Sequence, residues 1–473
     1  MKLCVIGGAG ARSAFLTKSL VKSTRDIRVD HIVLLDNDQQ KLKTYGEISR
    51  ELSRRLDPDL TFEVTSDARA ALTGVDYIIT TIRAGGDAGR LFDEQTCLAH
   101  GVLGQETTGA GGFAMAIRSV PTLVYYCTLA REVANPGHLI FNFTNPSGII
   151  TQALRSKGFD NVYGICDAPS GFIKQLEEIL EIPYGTLDIE CYGLNHLSWF
   201  RNAKVNGRDV QRELLDNPRT YEHSEMRLFT REMARISGDC MLNEYLYFYY
   251  RRVKSLSMIQ KADHPRGEMI YLINRELEEQ LARLELPRDF EQAFSLYMTA
   301  YGKRENAYFS VESGACREKV WNPPTVEEFL TAPDEGGYAA VALRFIRAIT
   351  DGENCRMVLS VPNNGAIDGL RDDDVVEITC DIRSDGAHPV RIGAIDEFQL
   401  QQIKRLKYFE RCTIQAILED DRDAAVKGLA LHPLVNDFEL AETLTDIFFD
   451  KYAEFIHMNE TCLLYTSDAA DEL

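Results

Sequence analysis

The chain has 473 residues, too many for one ordinary core, so two or three domains, or two large ones sharing an interface, are expected. Its 52 basic and 72 acidic side chains give a formal net charge of −20, which argues against nucleic acid and anionic membranes as partners. An anionic small substrate stays open, because a local arginine pocket can oppose the global field.

Met1 and Lys2 lead straight into "LCVIGG" with no cleavage-site pattern, a poor secretion signal. No uninterrupted apolar run is long enough to span a bilayer. A cytoplasmic location is therefore expected, and the 11 scattered cysteines read as reduced thiols rather than a disulfide frame.

In chain order, "KLCVIG" is a short strand with a glycine stop, and residues 13–21 follow as a helix. "HIVLLD" comes next, then a polar helix through Leu52, then the runs "TFEVT", "DYIITT", "HLIFNFT" and "NVYGIC". Apolar strands separated by helix-length segments predict right-handed βαβ units. The fold class is α/β: a Rossmann-like doubly wound parallel sheet covered on both faces, of the lactate/malate dehydrogenase type.

After Asp167 the texture changes to long charged helical stretches, "RGEMIYLINRELEEQLARLEL" and "FQLQQIKRLKYFERCTIQAILE", with strand-like "LDIECYG" and "DVVEITCDI". A nucleotide-binding domain over 1–167 and an α+β substrate, metal and oligomerisation domain over 168–461 are expected, sharing one cleft. Residues 462–473, "CLLYTSDAADEL", continue no pattern and read as a non-native, adaptor-derived tail.

"VIGGAGARSAF" closes the first strand and opens the first helix. Gly7, Gly8 and Gly10 would let the backbone approach a pyrophosphate at the positive helix end, although Ser13 stands at the third position of the usual G-x-G-x-x-G. Asp36, at the tip of the second strand, is placed to take ribose hydroxyls and disfavours a 2′-phosphate, so NAD is expected over NADP. The simpler alternative is that Asp36 caps the next helix. No Walker lysine follows the glycines.

Further polar motifs fall where strands should end: "TIRAGG" with Arg83, "HGVLGQETTGAGG" with Gln105, Glu106 and Thr107, "NFTNPSG" with Asn142 and Asn145, and "YGICDAPSG" with Cys166 and Asp167. "CYGLNHLSW" adds Asn195 and His196. Singly these residues have ordinary structural readings, a buried thiol, a packed histidine or a turn-starting asparagine among them. Together, Cys166 and His196 suit a borderline-soft divalent metal with positions left open for substrate oxygens.

"LGQETTGAGG", "NFTNPSG", "GICDAP", "YGLNHLSW", "GKRENAYFS" and "VPNNGAIDGLRDDDVVEITC" resemble the motifs of glycoside hydrolase family 4, from the first strand to about "ALHPLVND". The resemblance implies an NAD-dependent glycosidase with a divalent metal, usually Mn²⁺, closest to its 6-phospho-β-glucosidase branch. In that chemistry C3 of the sugar is oxidised, a base takes the C2 proton, the aglycone leaves, water adds and the hydride returns.

It also implies Cys166 and His196 as metal ligands and a tyrosine base. "MLNEYLYFYYRR" matches that segment and gives Tyr245, with Tyr247, Tyr249 and Tyr250 close by. Arg83 is expected at the cofactor, and Arg90, Asn145, Asn195 and Arg266 at the substrate, where arginines could clamp a 6-phosphate. Asp167 departs from the β-branch, which has Asn after the cysteine. The α-branch has Asp there, proposed as the general acid. The expected partner is a small glycoside, and the assembly a homodimer or homotetramer. The rival readings are a family 4 α-glycosidase or non-phosphorylated glycosidase, a 2-hydroxy-acid dehydrogenase with net NADH release, and a non-catalytic NAD-binding module.

Overall fold

Near-continuous burial marks the first strands of the computed structural model: Lys2–Ile6 (β1), His31–Leu35 (β2) and Tyr77–Thr80 (β4) are inaccessible almost throughout, as in a sheet covered on both faces. Thr61–Thr65 (β3) alternates with exposed positions and is an edge. Leu139–Asn142 (β5) and Val162–Gly164 (β6) complete a parallel set ordered β3-β2-β1-β4-β5-β6. That order is the Rossmann one, with its switch point between β1 and β4. The structure describes residues 1–306, 310–313, 321–334, 338–352 and 354–457.

Beyond β6 the sheet continues antiparallel through Leu187–Leu194 (β7), Leu197–Val205 (β8), Arg208–Asp209 (β9), Met241–Leu242 (β10), Cys355–Pro362 (β11), Val375–Arg383 (β12) and Gly386–Pro389 (β13). The path runs β6-β11-β12-β7-β8-β10, with β9 on β8 and β13 on β12. The change of texture after Asp167 is thus a change from parallel to antiparallel pairing inside one sheet. The two charged stretches form the helices Arg266–Leu281 and Glu397–Glu419. Residues 307–309 of "GKRENAYFS" and the tail 462–473 lie outside the described residues.

The helix Gly109–Val133 is, by length and composition, apolar enough to cross a bilayer, though Arg118 interrupts its apolar run. It is a core helix: 72% of its most apolar window is buried.

Buried polar contacts hold the loops at the carboxyl ends of the strands. Arg118, wholly buried in Gly109–Val133, bonds Asp93 of the helix Gly86–Ala99 at 2.6 Å, and its guanidinium lies 4.4 Å from the Tyr452 ring. Removing one partner of such a buried pair costs about 3–5 kcal/mol. His432, also wholly buried, ties the chain's last third to the "QETTG" loop: Nδ1 accepts from Leu434 N–H at 3.1 Å and Nε2 lies 3.3 Å from Thr108 Oγ1.

Burial, aided by Arg405, pushes the His432 imidazole down from 6.5 to about 3. The unfolded chain therefore binds this proton first, and the stability is complete above 6.5 and lost as pH falls toward 3. Between pH 7.5 and 5 the loss from this group is about 2 kcal/mol. Urea denaturation of His432→Gln should show a fall over that interval smaller than wild type by that amount; identical pH dependence would remove His432 from the account.

Candidate active site

A cleft of about 1400 Å³ opens at the carboxyl ends of the parallel strands, where β1, β2, β4, β5 and β6 deliver Gly7–Ser13, Asp36, Arg83, Asn145 and Cys166 to its wall. Gly7 has a φ of +82°, and a Cβ there would lie 2.8 Å from the backbone of Thr81 and Ile82, so the loop after β1 lies directly on the one after β4. Gly10 differs: no atom lies within 4 Å of where its Cβ would be, and the space it leaves is cleft.

The helix Ser13–Ile27 starts there without a side-chain cap, and Ser13 Oγ is buried without a hydrogen-bond partner. Asp36 accepts N–H bonds from Ala9 at 3.2 Å and Asp38 at 3.1 Å, while Asp38 caps the following helix. The capping alternative thus falls to Asp38, and Asp36 stays at the cleft, its carboxyl pushed up chiefly by burial. An open glycine, uncapped helix N–H groups and a strand-tip carboxylate fit a dinucleotide.

Cys166 immediately precedes the helix Asp167–Leu180, and His196 sits in the β7–β8 hairpin; Cys166 Sγ and His196 Nε2 are 3.8 Å apart. Bonds of about 2.3 Å to sulfur and 2.1 Å to nitrogen let one metal ion span that gap. Burial lowers the imidazole to about 3, so it stays neutral and able to ligate, while Nδ1 is buried with no partner. The same burial, with Glu377 and Asp167, raises the Cys166 thiol, so a bound cation would favour its thiolate. Among the described residues no third His, Cys, Asp or Glu joins them, and the donor set fits a metal that shares its coordination with a substrate.

Tyr245 stacks on the His196 ring, centroids 3.8 Å apart and planes inclined by 12°. The neighbouring tyrosines are held elsewhere: Tyr247 OH donates to Glu312 O, Tyr249 OH bonds Thr108 Oγ1 at 2.5 Å, and Tyr250 OH accepts from Ser237 Oγ at 3.2 Å.

Arg83 and Arg90 converge on the Glu106 carboxylate, with Arg90 Nε 3.2 Å from Oε2 and Arg83 also pairing Asp87 at 3.6 Å. Burial alone would raise Glu106, but Arg83 and Arg90 hold it well below the usual carboxylate range. Arg266 and Arg304 line the same wall. Arg304 was not singled out in the sequence; Nη1 donates to Asn274 at 2.5 Å, and burial lowers it to about 10.

Two expected residues sit elsewhere than predicted. Asn142 is fully buried, its amide donating to Thr151 Oγ1 at 3.1 Å and its Oδ1 accepting from Thr80 at 2.9 Å, so it shapes the turn that presents Asn145. Asn195 does not line the cleft either: Nδ2 donates to Glu377 Oε1 at 2.9 Å behind the Cys166–His196 pair. Glu377, whose carboxyl burial raises to about 7 against bonds from Asn195 and Ser198, was missed. So was the carboxyl pair of Glu225 and Glu244 on the cleft wall, where burial and then Glu244 push Glu225 well up. A charged residue inside the apolar run "VVEITC" was the available signal for Glu377.

Gly10→Ala should leave stability to denaturant within about 0.5 kcal/mol. It should weaken NAD⁺ binding in calorimetry about tenfold, each tenfold being about 1.4 kcal/mol. Gly7→Ala should instead destabilise the fold by about 1–3 kcal/mol. Undiminished NAD⁺ affinity in Gly10→Ala would place the pyrophosphate elsewhere.

Residues 2–182 match the model of family 4 glycosyl hydrolases, and residues 191–435 the model of the family's C-terminal domain. The 6-phospho-β-glucosidase of Thermotoga maritima is 30% identical, with 97% of this chain and 100% of the relative aligned. That of Escherichia coli is 27% identical, with 94% of this chain and 93% of the relative aligned. A phospho-α-glucosidase of Clostridium acetobutylicum is 25% identical, with 93% and 95% aligned. A solved structure of the Thermotoga maritima enzyme, with manganese, NAD⁺ and glucose-6-phosphate, superposes with a TM-score of 0.78 at 28% identity, covering 97% of this chain and 100% of that one. With its nucleotide loop, Cys–His pair and stacked tyrosine in one cleft, the chain belongs to family 4 of the glycosyl hydrolases.

Proposed function

We propose that the chain hydrolyses the glycosidic bond of 6-phospho-β-glucosides with NAD⁺ and a divalent metal, Mn²⁺ by preference, bound in the cleft. One observation carries this: the Tyr245 ring lies on His196, whose Nε2 faces Cys166, so a phenol and a metal-ligand pair share the wall beside the nucleotide loop. When bound, NAD⁺ and the metal supply reversible oxidation at C3 of the sugar and polarisation of its C2 and C3 oxygens.

The protein's own groups do the rest. Tyr245 takes the C2 proton, and Asp167, on the same wall, protonates the leaving oxygen. Arg90, Arg266 and Asn145 hold the 6-phosphate, with Glu106 keeping Arg83 and Arg90 in place before it arrives. The relatives' names and the glucose-6-phosphate of the Thermotoga maritima structure support the phosphorylated substrate. A free Cys166 thiol suits the reducing cytoplasm, and a homodimer or homotetramer is the expected assembly. Asp167 favours a second reading, a 6-phospho-α-glucosidase, because the α-branch carries Asp after the cysteine.

p-Nitrophenyl β-glucoside, its 6-phosphate and both α-anomers, assayed with NAD⁺, Mn²⁺ and a thiol reductant, separate these readings. Turnover should be greatest on the phosphorylated β-anomer and fall to background when NAD⁺ or Mn²⁺ is withheld, with no net NADH; preference for the phosphorylated α-anomer would establish the second reading. Activity surviving both omissions would reject the mechanism. Turnover in D₂O should place deuterium at C2 of the released sugar, and Tyr245→Phe should lose at least about 100-fold in kcat.

A further inference from the structure

The β7–β8 hairpin closes on the pair Leu194–Leu197, leaving Asn195 and His196 as a two-residue turn. His196 has a φ of 65°, a left-handed conformation that costs a side-chain-bearing residue about 1–2 kcal/mol and normally goes to Gly or Asn. Gly193, just before, has a φ of +136°, and a Cβ there would meet Leu197 O at 2.3 Å. The turn therefore holds a histidine under backbone strain, and something must fix it there.

The fixing group is on the next strand. Glu377 of β12 pairs in register with Gly193 and is 2% exposed. Oε1 accepts from Asn195 Nδ2 at 2.9 Å and Oε2 from Ser198 Oγ at 2.8 Å, so one carboxylate grips the turn on both sides of His196. Among the described residues Glu377 forms no ion pair. A buried carboxylate without a cation is expensive, and one set behind a thiol and an imidazole complements a cation in front of them.

We propose that Glu377 is a positioning residue for the Cys166–His196 pair: through Ser198 and Asn195 it holds the left-handed turn that aims the imidazole at the sulfur. This deepens the metal role proposed above and rests on it.

The test is Mn²⁺ binding to the full chain, read from the free-ion EPR signal, beside NAD⁺ binding by calorimetry. Glu377→Gln keeps the volume but leaves only one acceptor oxygen, so the Mn²⁺ Kd should rise about 10–100-fold with NAD⁺ affinity within about twofold of wild type. Ser198→Ala, which removes one of the two bonds, should weaken Mn²⁺ less than Glu377→Gln does, and it carries the test should Glu377→Gln not fold. Wild-type Mn²⁺ affinity in a folded Glu377→Gln, or parallel loss of Mn²⁺ and NAD⁺ binding, would overturn the positioning role. Cys166→Ser separates the two levels: Mn²⁺ binding as in wild type would overturn the metal assignment itself and this inference with it.

Discussion

Cys166 leaves the last parallel strand and His196 turns an antiparallel hairpin, with β11 and β12 hydrogen-bonded between those two parts of the sheet. Their 3.8 Å approach therefore depends on an unbroken run of pairing from β6 to β8. Backbone ladders fix where those strands end, at about 4.8 Å per step, and the short connections after β6 and between β7 and β8 bring Cys166 and His196 together above them. Everything else in the cleft is arranged against that fixed point: the nucleotide loop arrives from β1, three strands along the sheet from β6 by way of β5 and β4. A nucleotide domain and a substrate domain joined by a hinge would not hold such a distance.

The second constraint is electrostatic. Arginines gathered on one cleft wall repel one another, and in the absence of substrate something must hold them. Glu106 does so for Arg83 and Arg90, and Asn274 does so for Arg304. A guanidinium cluster ordered in advance loses less entropy when an anion arrives than one that must assemble around it. The overall charge of −20 says nothing about this pocket; the local arrangement decides which anions it admits.

Much of this could be read in the sequence because parallel sheets leave a plain trace. "KLCVIG", "HIVLLD" and "DYIITT" each carry a near-continuous apolar run since both faces are covered, and Gly7 after the first strand marks a place where two backbones meet closely. Cys166 and His196 were found as strand-end residues and are brought together as expected. Asn195 misled because a motif gives proximity, not direction: its neighbour faces the cleft while it turns to Glu377. Glu377 lies 181 positions from His196, and its role exists only in the register of β12 on β7, which no local pattern encodes. The helix Gly109–Val133 shows the converse, an apolar stretch whose partners are protein rather than lipid.

Asp167 is where charge and chemistry meet. A carboxylate beside a 6-phosphate would repel it, which would set the residue against the proposed substrate. The geometry weakens that objection. Asp167 Oδ2 lies 3.7 Å from Arg12 of the nucleotide loop, while Glu106, which gathers the other arginines, is delivered from a different motif. Burial, opposed by Arg12 and reinforced by Glu305, raises the Asp167 carboxyl. The Arg12 guanidinium offsets the Asp167 charge, so the presence of this residue is compatible with a phosphorylated substrate of either anomer.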